Sequence, residues 1–201
     1  MAKGFFNIDR HEAKDIIVSW LVVSVAFGWV MKKSFAGMLA FPMDFAFALV
    51  VAMVAVGTGF ILHELAHRTI AIHFGAKARY VAWKNGLILA LALAFLTGFV
   101  FAAPGAVYIF GRNIDRKQNG LISLAGPATN TLTAIIFLAI AFVFGKSIVG
   151  MIAAVAASIN IWLAAFNLIP IFPLDGSKVF AWQPIVWAAL FFPLVAIAFF
   201  L

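Results

Sequence analysis

Residues 45–74 read FAFALVVAMVAVGTGFILHELAHRTIAIHF. A bilayer core takes ~20 apolar residues of helix, so this run is long enough to cross. It nevertheless carries His63, Glu64 and His67 in its second half. Ionisable residues within a membrane helix are costly and by default mark a functional site. Two histidines four apart lie on one helix face about one turn apart, so both imidazoles can reach one zinc ion. The intervening Glu64 projects beside that ion, where it can take a proton from activated water. The rival reading, a polar cluster that merely holds helices together, fits poorly with the cost of three such groups.

The rest of the chain supports a lipid setting for this helix. Of its 201 residues, 66% are hydrophobic and 10% charged, against roughly half and a quarter in a soluble domain. Mean hydropathy is +1.12. The net charge of +7 does not point to nucleic acid. The basic residues sit in short clusters between apolar runs, as topology determinants do, and no DNA- or RNA-binding module is visible. Cysteine is absent, which excludes disulfides, thiolate metal ligands and a cysteine nucleophile. The first apolar run comes after the mixed-charge stretch 9–15 and has no small-residue cleavage site beyond it, so it reads as a permanent helix.

Outward from the central run, spans are predicted at Ile16–Met31, Phe45–Phe74, Leu121–Phe144, Ile148–Ile169 and Pro184–Leu201. Lys32 and Lys33 end the first of them, and Pro170 and Pro173 end the fourth. The segment Leu87–Phe110 is ambiguous. Residues 87–94 alternate large and small, a strand-like period of two, and Gly98 and Pro104-Gly105 punctuate the remainder of the segment. The expected fold is an all-α polytopic membrane protein. It has about five transmembrane helices plus a membrane-inserted re-entrant hairpin, either β or a sixth helix.

Charge favours the hairpin. If the segment returns to the side it left, only Lys32, Lys33 and Lys146 lie opposite the other basic residues, including the Arg112–Lys117 loop. The positive-inside rule then puts the N-terminus in the cytoplasm. The expectation is one domain over residues 1–201, with a core at about 45–179, in a multi-pass protein of the cell membrane whose site faces the cytoplasm.

A hydrolytic zinc usually takes three protein ligands. Asp9, Glu12, Asp15 and Asp115 lie in charged loops and read as solvated, and Asp44 reads as a helix cap. His73 is too far along the helix from His67 to share a metal, and His11 is a lone loop histidine. Asp175 remains, in a segment broken by two prolines and turned at Gly176, where the freed backbone can aim a carboxylate inward. An ordinary Asp-Gly turn would explain Asp175 alone, but not its place on the same predicted side as His63. Asn167 can bond the freed backbone or a substrate carbonyl.

The HELAH motif (His63 to His67), with N-x-x-P-x-x-x-x-D-G from Asn167 to Gly176, resembles the site-2 protease family of intramembrane metalloproteases. The resemblance covers about two thirds of the chain. It implies His63, His67 and Asp175 as ligands of zinc, the expected cofactor, with Glu64 as base. Gly126-Pro127-Ala128-Thr129-Asn130 resembles the family's small-residue element beside the active site. Asn130 reads equally as an interhelical bond within a small-residue packing face and as a catalytic group that steadies an oxyanion. The implied partners are transmembrane protein substrates within the lipid bilayer, cut where they unwind. No PDZ-like accessory domain is visible, as in a minimal form of the family. Two other readings stand beside it. One is a membrane zinc hydrolase of lipidated or amphiphilic substrates; the other is a non-catalytic zinc-binding membrane protein, which would have no need of Glu64.

Overall fold

The computed structural model describes residues 8–32, 42–100, 104–111 and 113–200. Lys33, Arg112 and Leu201, which mark boundaries in the sequence reading, lie outside them. Helix α1 (Arg10–Lys32) is followed by α2 (Pro42–Val56), a π turn (Gly57–Ile61) and α3 (Leu62–His73), the last three running on as one helix. Strand β1 (Lys77–Ala82), helix α4 (Lys84–Thr97) and strand β2 (Gly105–Phe110) come next. Helices α5 (Arg116–Phe144), α6 (Ile148–Asn167), α7 (Asp175–Trp182) and α8 (Pro184–Phe200) complete the order.

Among the described residues, four helices are long and apolar enough to cross a membrane: α1, the composite Met43–His73, α5 and α6. Helices α4 and α8 are apolar but shorter. Helices α5 and α6 pack against each other, and α6 buries the small residues Ala153, Ala156, Ala157 and Ala164. Small side chains let helix backbones approach where lipid supplies no hydrophobic drive.

Two apolar clusters flank the centre of the molecule. Ile16, Val23, Val56, Phe60, Tyr80 and Leu87 join α1, the π turn, β1 and α4. Ala134, Ile161, Ala164, Leu168, Val179 and Leu194 join α5 to α8.

Residues 87–94, whose alternation suggested a strand, are helical. Every side chain in that stretch is apolar, so the alternation offers a sheet no contrast between faces, while Leu and Ala are strong helix formers. The buried residues Gly86, Leu87, Ala90 and Ala94 fall on one helical stripe. Gly98, at a φ of 70°, caps the helix in the left-handed region that glycine tolerates. The strand comes later. β2 pairs antiparallel with β1 in the register Lys77↔Phe110 to Ala82↔Gly105. The Trp83 N–H bonds the Pro104 carbonyl at 2.8 Å, so the chain rejoins the sheet beside the point where it left.

Several acids differ from their sequence reading. Asp9 caps α1, accepting from the His11 and Glu12 N–H groups at 2.9 Å, and Asp115 caps α5 through the Gln118 N–H at 2.8 Å. Asp44 lies in the first turn of α2 and pairs with Lys32 at 3.2 Å instead of capping. His11 is on α1 rather than in a loop, and it is exposed. Glu12, read as solvated, is buried. The sequence hides this because Glu12 stands among charges, yet it shares the buried stripe Glu12-Ile16-Ser19-Val23 of α1. That helical spacing was the available signal.

Candidate metal centre

The π turn widens the central helix just before His63, and such turns are frequent at functional sites. Trp20 packs at Gly57, and its indole N–H donates to the Met53 carbonyl at 2.9 Å. Beyond this turn, α3 buries His63 and His67 side by side, with their Nε2 atoms 2.9 Å apart. Asp175 arrives from the opposite side of the chain. Helix α6 ends at Asn167, the proline-containing loop 168–174 crosses over, and Asp175 opens α7. Gly176 is the second residue of that helix rather than a turn, and a Cβ there would collide with the Leu168 carbonyl. Glycine thus lets α7 begin pressed against the loop, which delivers the carboxylate inward.

The Asp175 Oδ2 atom lies 3.4 Å from His63 Nε2 and 3.1 Å from His67 Nε2. The three ligand atoms lie within 4.8 Å of one another, a group able to hold a metal ion. Zinc bonds of ~2.0–2.1 Å in a tetrahedral arrangement place ligand atoms ~3.3 Å apart, close to these distances.

The other ring nitrogens give a sharper test of fit. His63 Nδ1 is 3.0 Å from Asn130 Oδ1, and His67 Nδ1 is 2.7 Å from the Ile122 carbonyl. Both partners are acceptors, so each imidazole carries its proton on Nδ1 and turns an Nε2 lone pair toward Asp175. Such outer bonds fix the tautomer of metal-binding histidines. Lone pairs gathered this closely, with a carboxylate among them, repel unless a metal ion or a proton sits between them. The residues fit a metal.

Among curated proteins, one from Methanocaldococcus jannaschii named "Putative zinc metalloprotease" is 37% identical over 193 residues, covering 96% of this chain and 95% of its own length. This chain belongs to a zinc metalloprotease family. A Bacillus subtilis protein of the same name is 27% identical over 161 residues, 70% of this chain and 71% of that protein. A second M. jannaschii zinc metalloprotease is 28% identical over 120 residues, 59% of this chain but 30% of its own length. No family model matches the chain, and no solved structure matches it. Zinc is accordingly the metal that this family metalloprotease uses, and His63, His67 and Asp175 form a group that can hold it.

Helix α5 passes directly over the histidines of this zinc metalloprotease. A Cβ on Gly126 would meet His63 and His67, so glycine is what admits the helix backbone here. At the next residue Pro127 has no N–H to offer the preceding turn, which loosens the helix ladder, and it is close by that the Ile122 carbonyl accepts from His67. Asn130 is buried, with its oxygen on His63 and its Nδ2 without a hydrogen-bond partner among the described residues. The interhelical bond expected of Asn130 is present, and its partner is a metal-facing histidine.

A cavity of about 430 Å³ opens onto this centre, lined by Glu64, Asn130, Asn167, Asp175 and residues 105–109 of β2. Within its own helix, Asn167 donates to the Leu163 carbonyl at 2.9 Å. His73, at the end of α3, is exposed and takes no part.

The sheet presents two unlike edges. On β1 the Tyr80 N–H donates to Glu12 Oε1 at 3.0 Å, and the Ala82 N–H lies 3.3 Å from Asp15 Oδ2. Carboxylates of α1 therefore occupy the outer edge of β1. In an antiparallel pair, outward- and inward-bonding residues alternate. The register then turns the backbone groups of Gly105, Val107 and Ile109 away from β1. All three line the cavity. The sequence reading missed Glu12, whose one signal was its helical spacing with Ile16, Ser19 and Val23, and this division of edges, which no local pattern carries.

Proposed function

We propose that this chain is an intramembrane zinc metalloprotease of the site-2 type, cutting peptide bonds in or near transmembrane segments of other membrane proteins. The observation that carries this reading is the position of the centre. His63, Glu64 and His67 stand within a helix long and apolar enough to cross a membrane, and Asp175 closes on them. A soluble substrate would have little reason to be processed there.

In this reading His63, His67 and Asp175 hold the zinc. When bound, the metal supplies Lewis-acid activation of water and polarisation of the scissile carbonyl. Glu64 takes the proton from the attacking water and passes it to the leaving amine. An intact substrate helix shields its own carbonyls, so it must unwind before cleavage. The outward backbone of Gly105, Val107 and Ile109 offers an extended segment replacement hydrogen bonds by strand addition, and Asn167 can bond a substrate carbonyl within the same cavity. In this reading helix α8 is the fifth span, α4 and β2 belong to a segment that re-enters, and the positive-inside rule turns the centre toward the cytoplasmic face of the cell membrane.

Asn130 serves twice in this scheme. Its oxygen steadies His63, and its free Nδ2 donates to the oxygen that gains charge in the transition state. Asn130→Asp keeps an acceptor for His63 and removes the donor. Zinc content should remain near wild type while kcat falls ~10²–10³-fold, the usual cost of one oxyanion donor. A variant that loses zinc and rate together would reduce Asn130 to a support for His63.

The whole reading is tested in vesicles. The chain, reconstituted with a single-span substrate, should cut it within the span, and a zinc chelator should stop the reaction. Single cysteines replacing Lys84, Lys117 and Lys178 should react with impermeant reagents from the cytoplasmic side, and one replacing Lys146 only from the opposite side. Labelling of Lys84 and Lys117 positions from opposite sides would sink the hairpin topology. Cleavage confined to soluble loops would sink the intramembrane one.

A further inference from the structure

Beside the metal centre lies a buried charge pair that the proposed chemistry does not use. Arg68 directly follows His67 on α3, and it is buried away from the cavity that His63 and His67 line. Its Nε donates to Glu12 Oε1 on α1 at 2.9 Å, with both side chains almost wholly covered. The same oxygen accepts from the Tyr80 N–H of β1 at 3.0 Å. One carboxylate oxygen thus joins the helix that carries the histidines, the first helix and the inner strand.

Tyr80 is held at its other end as well. Its hydroxyl donates to Ser19 Oγ at 2.9 Å, on the same face of α1 as Glu12. Its ring stands edge-on to Phe60, at a centroid distance of 5.6 Å. Across the sheet, Tyr80 pairs with Val107, whose backbone faces the cavity. A Cβ on Gly105 would collide with the Tyr80 hydroxyl, so the two strands meet here without slack.

Stability alone gives little reason for this arrangement. Removing two charges from water costs about as much as their attraction returns, and well-packed apolar replacements are often neutral or better. What the pair does supply is geometry, since a shared oxygen with two directional donors admits one placement of β1 against α3.

We infer that Glu12 and Arg68 are positioning residues for substrate: they fix the height of the open β2 edge above the metal centre. The inference rests on the strand-addition reading of the cavity. A peptide long enough to pair with β2 meets the zinc in register only while the Arg68–Glu12–Tyr80 link holds. A short peptide that reaches the centre without touching β2 does not feel the link.

The test uses the full chain with Glu12→Leu and Arg68→Met together, which replaces the pair by apolar side chains of similar size. Zinc content, kcat and KM are measured with a span-length substrate and with a short peptide. The variant should keep its zinc and its cooperative unfolding. KM for the long substrate should rise about tenfold with kcat little changed, the signature of lost ground-state binding, while the short peptide is cut as by wild type. An unchanged KM for the long substrate overturns the inference. So does loss of zinc from a variant that still unfolds cooperatively, since the pair would then act on the metal helix.

Should the double variant fail to fold, Arg68→Lys decides the matter, because lysine keeps the charge but not the planar donor. A long-substrate KM raised about threefold or more supports the positioning role, by the same reading of mutant kinetics, and an unchanged one removes it. Wild-type protein that cuts neither peptide would remove the protease reading and this inference with it. Wild-type cleavage with an unaltered variant removes the inference alone.

Discussion

Glu64→Gln is expected to leave about one zinc per chain in place, the count for a catalytic site, while peptide hydrolysis falls ~10²–10⁴-fold, the usual worth of a positioned base. Glutamine matches glutamate in size and keeps an acceptor oxygen, so the cavity wall that Glu64 forms is preserved. It cannot take a proton from water at neutral pH. Retained metal with lost turnover is therefore the specific signature of the base. Activity near wild type in a zinc-loaded variant would mean that the proton goes elsewhere or that the reaction is a different one.

Loss of a ligand should have the opposite profile. Asp175→Ala removes the carboxylate that lies 3.1 Å and 3.4 Å from the two Nε2 atoms, and His67→Ala removes one of the imidazoles. Removing an outer hydrogen-bond partner of a metal site typically costs ~10–100-fold in affinity, and removing a direct ligand should exceed that. Purified Asp175→Ala and His67→Ala proteins, dialysed against a weak chelator, should retain little zinc by elemental analysis. Full occupancy in Asp175→Ala would take that residue out of the ligand set, and the third ligand would have to be sought elsewhere along the cavity.

Much of the molecule was legible from the chain alone, for reasons of solvent and period. A run of thirty residues (45–74) with only one acid and two histidines before Arg68 has few places to fold except across lipid. The spacing of His63 and His67 sets them on one face by helix geometry alone. Asp175 was reached by setting aside the other acids and histidines, in a segment where Pro170 and Pro173 break the helix; the helix expected to run to Ile169 ends at Asn167.

Tertiary structure alone decided the rest, because those choices rest on partners distant in sequence. Residues 87–94 are apolar on every side, so their alternation marks no sheet face, and which side of α4 is buried, the one with Leu87, Ala90 and Ala94, is decided only by its neighbours. Glu12 sits among charged neighbours that suggest water, but Arg68 and Tyr80, more than fifty residues away, bury it. The tautomers of His63 and His67 likewise depend on Asn130 and on the Ile122 carbonyl of a helix that comes later in the chain. A sequence carries the period of each element and the cost of each buried charge; which oxygen meets which proton is fixed only when the elements pack.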